Sequence, residues 1–336
     1  MNKQDLLNTL SAMTSGKVAV VGDLMLDRYI WGHAHRISQE APVPVVRVSK
    51  TNDAPGGAAN VAGNILGLGG AATIFGTVGD DAEGDRLETI LRERGADVSG
   101  IVRTADRPTT VKTRVIANHQ QVVRIDAENS LEQAPNVVEK LENRILAGIE
   151  SGDFQGIVFE DYAKGLLTQP FIQRVLDTAR ANGIVCALDP HPSHPFEVHG
   201  LHLITPNRAE AFGLAGAYYR DGVLPLEKDS ALLEVGRKLQ TDWNANNLLI
   251  TLGGDGMALF AESGVTHIPT RAREVFDVSG AGDTVTAAFV LALLAGATPV
   301  QAAHLSNFAA GIVVAKVGTT PVSAQELRDV LEALDE

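Results

Sequence analysis

The chain has 336 residues, of which 45% are hydrophobic and 21% charged, a balance that excludes large-scale disorder and supplies enough apolar material for an extensive core. Twenty-eight Lys and Arg against 41 Asp and Glu leave a formal net charge of -13, which excludes an electrostatic grip on nucleic acid or an anionic membrane, since both are held through clustered cations. The single cysteine, Cys186 in the apolar run 184–188, excludes an internal disulfide and reads as a buried strand residue.

Residues 1–16 place Leu6, Leu7, Leu10 and Met13 at helical spacing without a signal-peptide core, which predicts a short amphipathic helix in a cytoplasmic protein. The run 18–22 ends in Gly22-Asp23, the mark of an inner parallel strand whose carboxyl end opens a site, with Asp23 and Asp27 beside it. From 28 to 50 the chain turns β-rich around Pro42 and Pro44, and Val43, Val45, Val46 and Val48 predict a strand at a sheet edge. Small residues from Pro55 to Ala62 open a helix able to approach a ligand closely; a strand over 71–79 and a helix over 83–94 follow. Runs 109–116 and 121–125 predict a hairpin turning at Asn118-His119, which would pair with the earlier excursion into a small β-lid, about 28–50 and 109–125. After a helix at 137–149, apolar runs at 156–159, 184–188, 201–204 and 248–252 alternate mostly with helical segments. That alternation predicts an α/β fold, a doubly wound, mainly parallel sheet flanked by helices, as one domain over 1–336. A hairpin of 257–260 and 265–268 forms one edge, and helices over 280–295, 299–316 and 324–334 finish the chain. The apolar stretch 285–297 falls short of the roughly 20 residues a membrane span requires.

Three glycine-marked or capped turns carry the chemistry. Gly280-Ala281-Gly282-Asp283 runs straight into an apolar helix, where unpaired N–H groups can hold an anion and Asp283 can take a proton from an attacking hydroxyl. A plain helix cap is the alternative for that turn. Thr251-Leu252-Gly253-Gly254-Asp255-Gly256 follows a strand and suits nucleotide phosphates, or simply a hairpin turn. Asn207-Arg208-Ala209-Glu210 follows another strand and can both cap a helix and place Glu210 to organise hydrated Mg²⁺.

An early Gly-Gly-Ala-Ala-Asn segment, a middle Asn-x-x-Glu and a late Gly-Ala-Gly-Asp, in that order, resemble the ribokinase-like (PfkB) carbohydrate kinases over nearly the whole chain. The resemblance implies a ribokinase-like fold in which Gly56, Gly57 and Asn60 hold the sugar. Asn207 and Glu210 position Mg²⁺, indirectly through water, and the phosphates. Gly280, Ala281 and Gly282 supply the anion hole and Asp283 the base. On this reading Thr251, Gly253 and Gly256 border the ATP phosphates and Asn307 lies near adenine. A monovalent cation such as K⁺, and a homodimer through the β-lid, belong to the same expectation.

A narrower match lies in Gly22-Asp23-Leu24-Met25-Leu26-Asp27-Arg28-Tyr29, in residues 36–46, and in Asp161-Tyr162-Ala163-Lys164-Gly165. It resembles the kinase module of the heptose-7-phosphate kinases of lipopolysaccharide-core synthesis. That implies transfer of the ATP γ-phosphate to the C1 hydroxyl of D-glycero-D-manno-heptose 7-phosphate. Asp27 would bind sugar hydroxyls, and Lys112, Arg114, Arg124 and Lys164 the distal phosphate. After Asp189 the chain departs from that pattern: Pro190-His191-Pro192-Ser193-His194-Pro195 replaces a Lys-Gly pair, and His191 and His194 could bind the sugar phosphate instead. No nucleotidyltransferase module is expected within these 336 residues. A kinase of another sugar, fructose-like or ribose-like, and a catalytically silent sugar-binding protein are the competing readings.

Overall fold

The computed structural model describes residues 2–118, 120–272, 275–316 and 318–334. His119, half of the turn predicted for the lid hairpin, lies outside the described residues. The chain begins with α1 (Lys3–Ala12), which buries Leu6 and Leu10 as its spacing predicts, and enters β1 (Lys17–Gly22). Two long strands follow, β2 (Leu24–Ile37) and β3 (Pro44–Gly57), and then α2 (Ala58–Gly67), β4 (Ala71–Gly79) and α3 (Ala82–Glu93). Next come β5 (Ile101–Thr104), β6 (Thr110–Ala117), β7 (Gln120–Ala127), α4 (Pro135–Ser151), β8 (Gly156–Glu160), α5 (Gln169–Ala181), β9 (Val185–Asp189) and β10 (Leu203–Ile204). The last part runs α6 (Arg208–Leu214), α7 (Ser230–Asp242), β11 (Asn247–Thr251), β12 (Met257–Ala261), β13 (Gly264–Ile268), α8 (Ala281–Leu294), α9 (Pro299–Val313) and α10 (Ala324–Glu332).

Among the described residues the main sheet has the order β13-β12-β11-β10-β9-β8-β1-β4-β5. It is parallel from β11 to β5, with β12 and β13 antiparallel at one edge as the sequence predicts. Alternate side chains of each inner strand serve opposite cores. Val18, Val20 and Val158 pack with α1, α2, α3, α8, α9 and α10 on one face, while Ala19, Val21, Ile157 and Phe159 pack with α4, α5, α6 and α7 on the other. Cys186 belongs to the second core, and burial pushes its thiol up to about 12, so it is a packing residue.

The second sheet, β3-β2-β6-β7, contains both segments expected to form the lid. It reaches further than the sequence reading placed it. Pairing of β2 with β3 continues from Ile37↔Pro44 down to Leu24↔Gly57, so Asp27, Gly56 and Gly57 are lid residues. Pro55-Gly56-Gly57 reads locally as a helix opening, but the ladder to Leu24, Met25 and Leu26 keeps these residues extended until Ala58. Among the described residues no helix is long and apolar enough to cross a membrane.

Candidate active site

The carboxyl ends of β8 to β11 face one cavity of about 670 Å³. All of the residues expected to bind nucleotide line it: Asn207, Glu210, Thr251, Gly253, Gly256 and Asn307. Gly280, Ala281, Gly282 and Asp283 line it too, so the anion-hole turn and the glycine turn after β11 share one space. Gly280 caps α8 with φ 78, the left-handed region that favours glycine, which lets the turn enter the helix. Gly256 has φ 89, and a side chain there would run into the Ile268 carbonyl. Asn207 and Glu210 form the capping box of α6, with Glu210 Oε2 accepting the Asn207 N–H at 2.7 Å. The Asn307 amide donates to the Pro269 carbonyl at 2.7 Å, so it shapes the cavity wall through the strap after β13.

Asp283 is buried in the first turn of α8, and both its oxygens are held. Asn60 Nδ2 donates to Oδ2 at 2.6 Å and the Tyr162 hydroxyl to Oδ1 at 2.7 Å. Burial raises its pKa, the two donors oppose the rise, and the charge of Asp27 adds to it. Asn60 is placed by a lock between helices: Asn64 donates to the Asn60 carbonyl at 3.0 Å and accepts from Thr284 at 3.0 Å. Tyr162 sits on a loop tied down by Asp23, whose Oδ2 accepts the N–H groups of Tyr162 and Lys164, each at 3.0 Å. Burial outweighs those bonds and lifts Asp23 to about 6.

Two acids beside the base have no counterpart among the residues assigned roles from sequence. Glu160 ends β8 and Asp189 ends β9, and each offers a carboxylate oxygen within 4.8 Å of the others and of Asp283. Both oxygens of buried Glu160 lack a hydrogen-bond partner. Burial and the neighbouring carboxylates raise Glu160 and Asp189 well above the usual range. The two unsatisfied oxygens of buried Glu160, crowded against the carboxylates of Asp189 and Asp283, fit a divalent cation such as Mg²⁺. The signal in the sequence was an acid at the end of each of two consecutive buried apolar runs, at the end of the sheet where sites form.

The expected sugar-binding residues gather between the lid and α2, beside the cavity. Asp27 pairs with Arg114, and its Oδ2 lies 2.6 Å from where a Gly56 Cβ would stand, so a side chain there would displace the Asp27 carboxylate. Gly57, at φ 58, is the N-cap of α2 and leads to Asn60. The four cations expected for a distal phosphate are ion-paired with acids: Lys112 and Lys164 both meet Glu128, at 3.5 and 2.8 Å, and Arg124 meets Asp126 at 3.0 Å. Arg114 also covers the ring of Tyr29, whose buried hydroxyl lacks a partner, as do the buried Asn60 Oδ1 and Thr319 Oγ1. Tyr29 and Thr319 are further residues that received no role from sequence.

A Gly-rich turn, a buried carboxylate and a cavity of this volume meet in one place, and the chain belongs to the pfkB family of carbohydrate kinases, whose family model matches residues 15–326. Among curated proteins it is 44% identical over 319 residues to a bifunctional protein HldE of Gluconacetobacter diazotrophicus, covering 95% of this chain and 64% of that one. A bifunctional protein HldE of Geobacter sulfurreducens is 43% identical over 310 residues, covering 92% and 61%. The chain thus spans less than two thirds of the length of these relatives. Among solved structures, phosphofructokinase-2 from Escherichia coli with substrates and products superposes at a TM-score of 0.77 with 18% identity, over 95% of this chain and 99% of the other. Arabidopsis thaliana ribokinase with ribose and ATP gives 0.70 with 19% identity, over 95% and 100%. These likenesses establish the ribokinase-like fold.

Proposed function

We propose that this kinase transfers the γ-phosphate of ATP to the C1 hydroxyl of D-glycero-β-D-manno-heptose 7-phosphate, giving the 1,7-bisphosphate in the cytoplasm for ADP-heptose synthesis. The observation that carries the phosphotransfer is Asp283, buried beside the anion-hole turn and oriented through both oxygens. The heptose rests on the segments 22–29, 36–46 and 161–165 and on the relatives named HldE.

In the reaction, Asp283 accepts the proton of the sugar hydroxyl as that oxygen attacks the γ-phosphorus. Asn60 and Tyr162 hold the carboxylate toward the acceptor, and the N–H groups at the start of α8 that follow Ala281, whose own N–H donates to the Val278 carbonyl at 3.2 Å, receive the charge that builds on the phosphoryl oxygens. Mg²⁺, for which Glu160 and Asp189 are the fitting ligands with Glu210 through water, supplies neutralisation of phosphate charge when bound. Asp27, Gly56, Gly57 and Asn60 orient the sugar, and the Lys112 and Lys164 pair on Glu128 is available to the distal phosphate. A K⁺ requirement is part of the reading, supported by the E. coli phosphofructokinase-2 solved with potassium. So is a homodimer through the lid, where Ile37 is 62% and Ile125 56% exposed.

The test is ATP consumption with Mg²⁺ over heptose 7-phosphate, fructose phosphates, fructose and ribose, with the new phosphate located by ³¹P NMR. Selective phosphorylation of the heptose at C1 supports the full reading. Turnover of another sugar alone overturns the heptose assignment, and no turnover of any sugar overturns the kinase assignment.

A further inference from the structure

The loop after β9 is built to aim one imidazole. Pro192 packs against α6, where a Cβ on Gly213 would stand 3.2 Å from the proline ring. His194 donates from Nδ1 to Asp161 at 2.9 Å, and its ring meets that of His191 edge-on at 6.2 Å. The Ser193 N–H donates to His191 Nδ1 at 3.2 Å, which fixes Nδ1 as acceptor and leaves the proton on Nε2. His191 lines the same cavity as the nucleotide turn and the base.

Its place along that cavity follows from strand order. Across the sheet the carboxyl ends present the Gly253 turn at β11, Asn207 at β10, Asp189 and His191 at β9, and Glu160 with Tyr162 at β8. Tyr162 touches the base, so a nucleotide entering over β11 and handing its last phosphate to a group beside Asp283 brings that phosphate over β9. Asp189 Oδ2 there lies 3.7 Å from the Cβ position of Gly282 in the anion-hole turn. The described lining around this point is rich in acids, and the guanidinium of Arg208 is already taken by Asp229 at 2.7 Å and by the Arg220 and Asp221 carbonyls. A terminal phosphate there has the N–H groups at the start of α8 on one side and needs a donor on the β9 side.

We infer that His191 Nε2–H is a specificity-determining contact to the γ-phosphate of the nucleoside triphosphate, a role resting on the kinase reading above. It makes His191 a group by which the cavity tells a triphosphate from a diphosphate. The test is the affinity of the full chain for ATP and for ADP, with Mg²⁺, by calorimetry. His191→Leu is expected to weaken ATP about tenfold or more and ADP about twofold or less, the scale of one hydrogen bond to a charged group. His191→Gln, which puts an amide N–H where Nε2 was, should keep most of the preference, whereas His191→Asn, with its amide at the Nδ1 position, should lose it. This pair decides the matter even if the leucine variant fails to fold. Equal weakening of ATP and ADP, an unchanged ratio, or an asparagine variant as discriminating as glutamine overturns the inference while leaving the kinase standing. A wild-type protein that binds neither nucleotide overturns both.

Discussion

Tyr162→Phe isolates one hydrogen bond to Asp283, the proposed base. The phenol donates to Asp283 at 2.7 Å, and burial and the surrounding carboxylates hold its pKa well above the usual range for tyrosine, so it remains a donor across the working pH range. Phenylalanine keeps the ring and removes the donor. A hydrogen bond to a buried charge is worth about 1.5–3 kcal/mol, which at about 1.4 kcal/mol per pH unit raises the Asp283 pKa by about one to two units. The sign is fixed: the lost donor favoured the carboxylate, so the base stays protonated to higher pH. The acid limb of kcat/KM should move up by that amount while the plateau above it is largely kept. Measured on a phosphorylated sugar in buffers of constant ionic strength, an acid limb displaced by less than about half a unit would refute the claim that Tyr162 tunes the base.

Asp283→Asn should lower kcat by about 10²–10⁴-fold, the usual contribution of a general base, with ATP affinity and melting temperature little changed; near-normal turnover would remove Asp283 from the mechanism. Glu160→Gln should raise the Mg²⁺ concentration for half-maximal activity by about 10-fold or more, and an unchanged requirement would show that the buried acid holds no cation. Asp23, lifted by burial from 3.8 to about 6, favours the folded state in its protonated form. Its contribution is therefore present below about pH 4 and lost as the pH rises through about 6, a change of about 3 kcal/mol. Asp23→Asn should flatten the urea-unfolding stability over that window, and an unchanged slope would count against it. Arg208→Ala strands buried Asp229 and should cost about 3–5 kcal/mol in the same assay; a loss under about 1 kcal/mol would contradict a buried pair of that importance.

Most of the architecture was legible because each inner strand is a short apolar run bounded by turn residues, and the spacing of such runs dictates a doubly wound sheet. The turns that line the cavity were legible for a related reason: glycines and caps sit next to the residues they place, so Gly280 to Asp283 and Asn207 to Glu210 announce themselves within a few positions. What escaped was assembled across the sheet. Glu160 and Tyr162, at the end of one strand, stand far in the chain from Asp189 and from Asp283, and nothing local distinguishes a strand-end acid that is buried against another carboxylate from one that faces water. The cations of the lid were legible as charges but not as pairs, because Lys112 and Lys164 converge on Glu128 only after β6 and the loop after β8 have come together. The lid limits were misjudged at Gly56 and Gly57, where local propensity indicates a helix start and the ladder to β2 overrides it.

That ladder gives the molecule a lever. From Pro44 the backbone runs as one strand to Gly57, turns there through a left-handed φ of 58°, and within three residues reaches the asparagine that grips Asp283. The outer sheet and the partner of Asp283 are thus joined by three residues of backbone through one glycine, so a tilt of that sheet would have a short covalent path to Asp283.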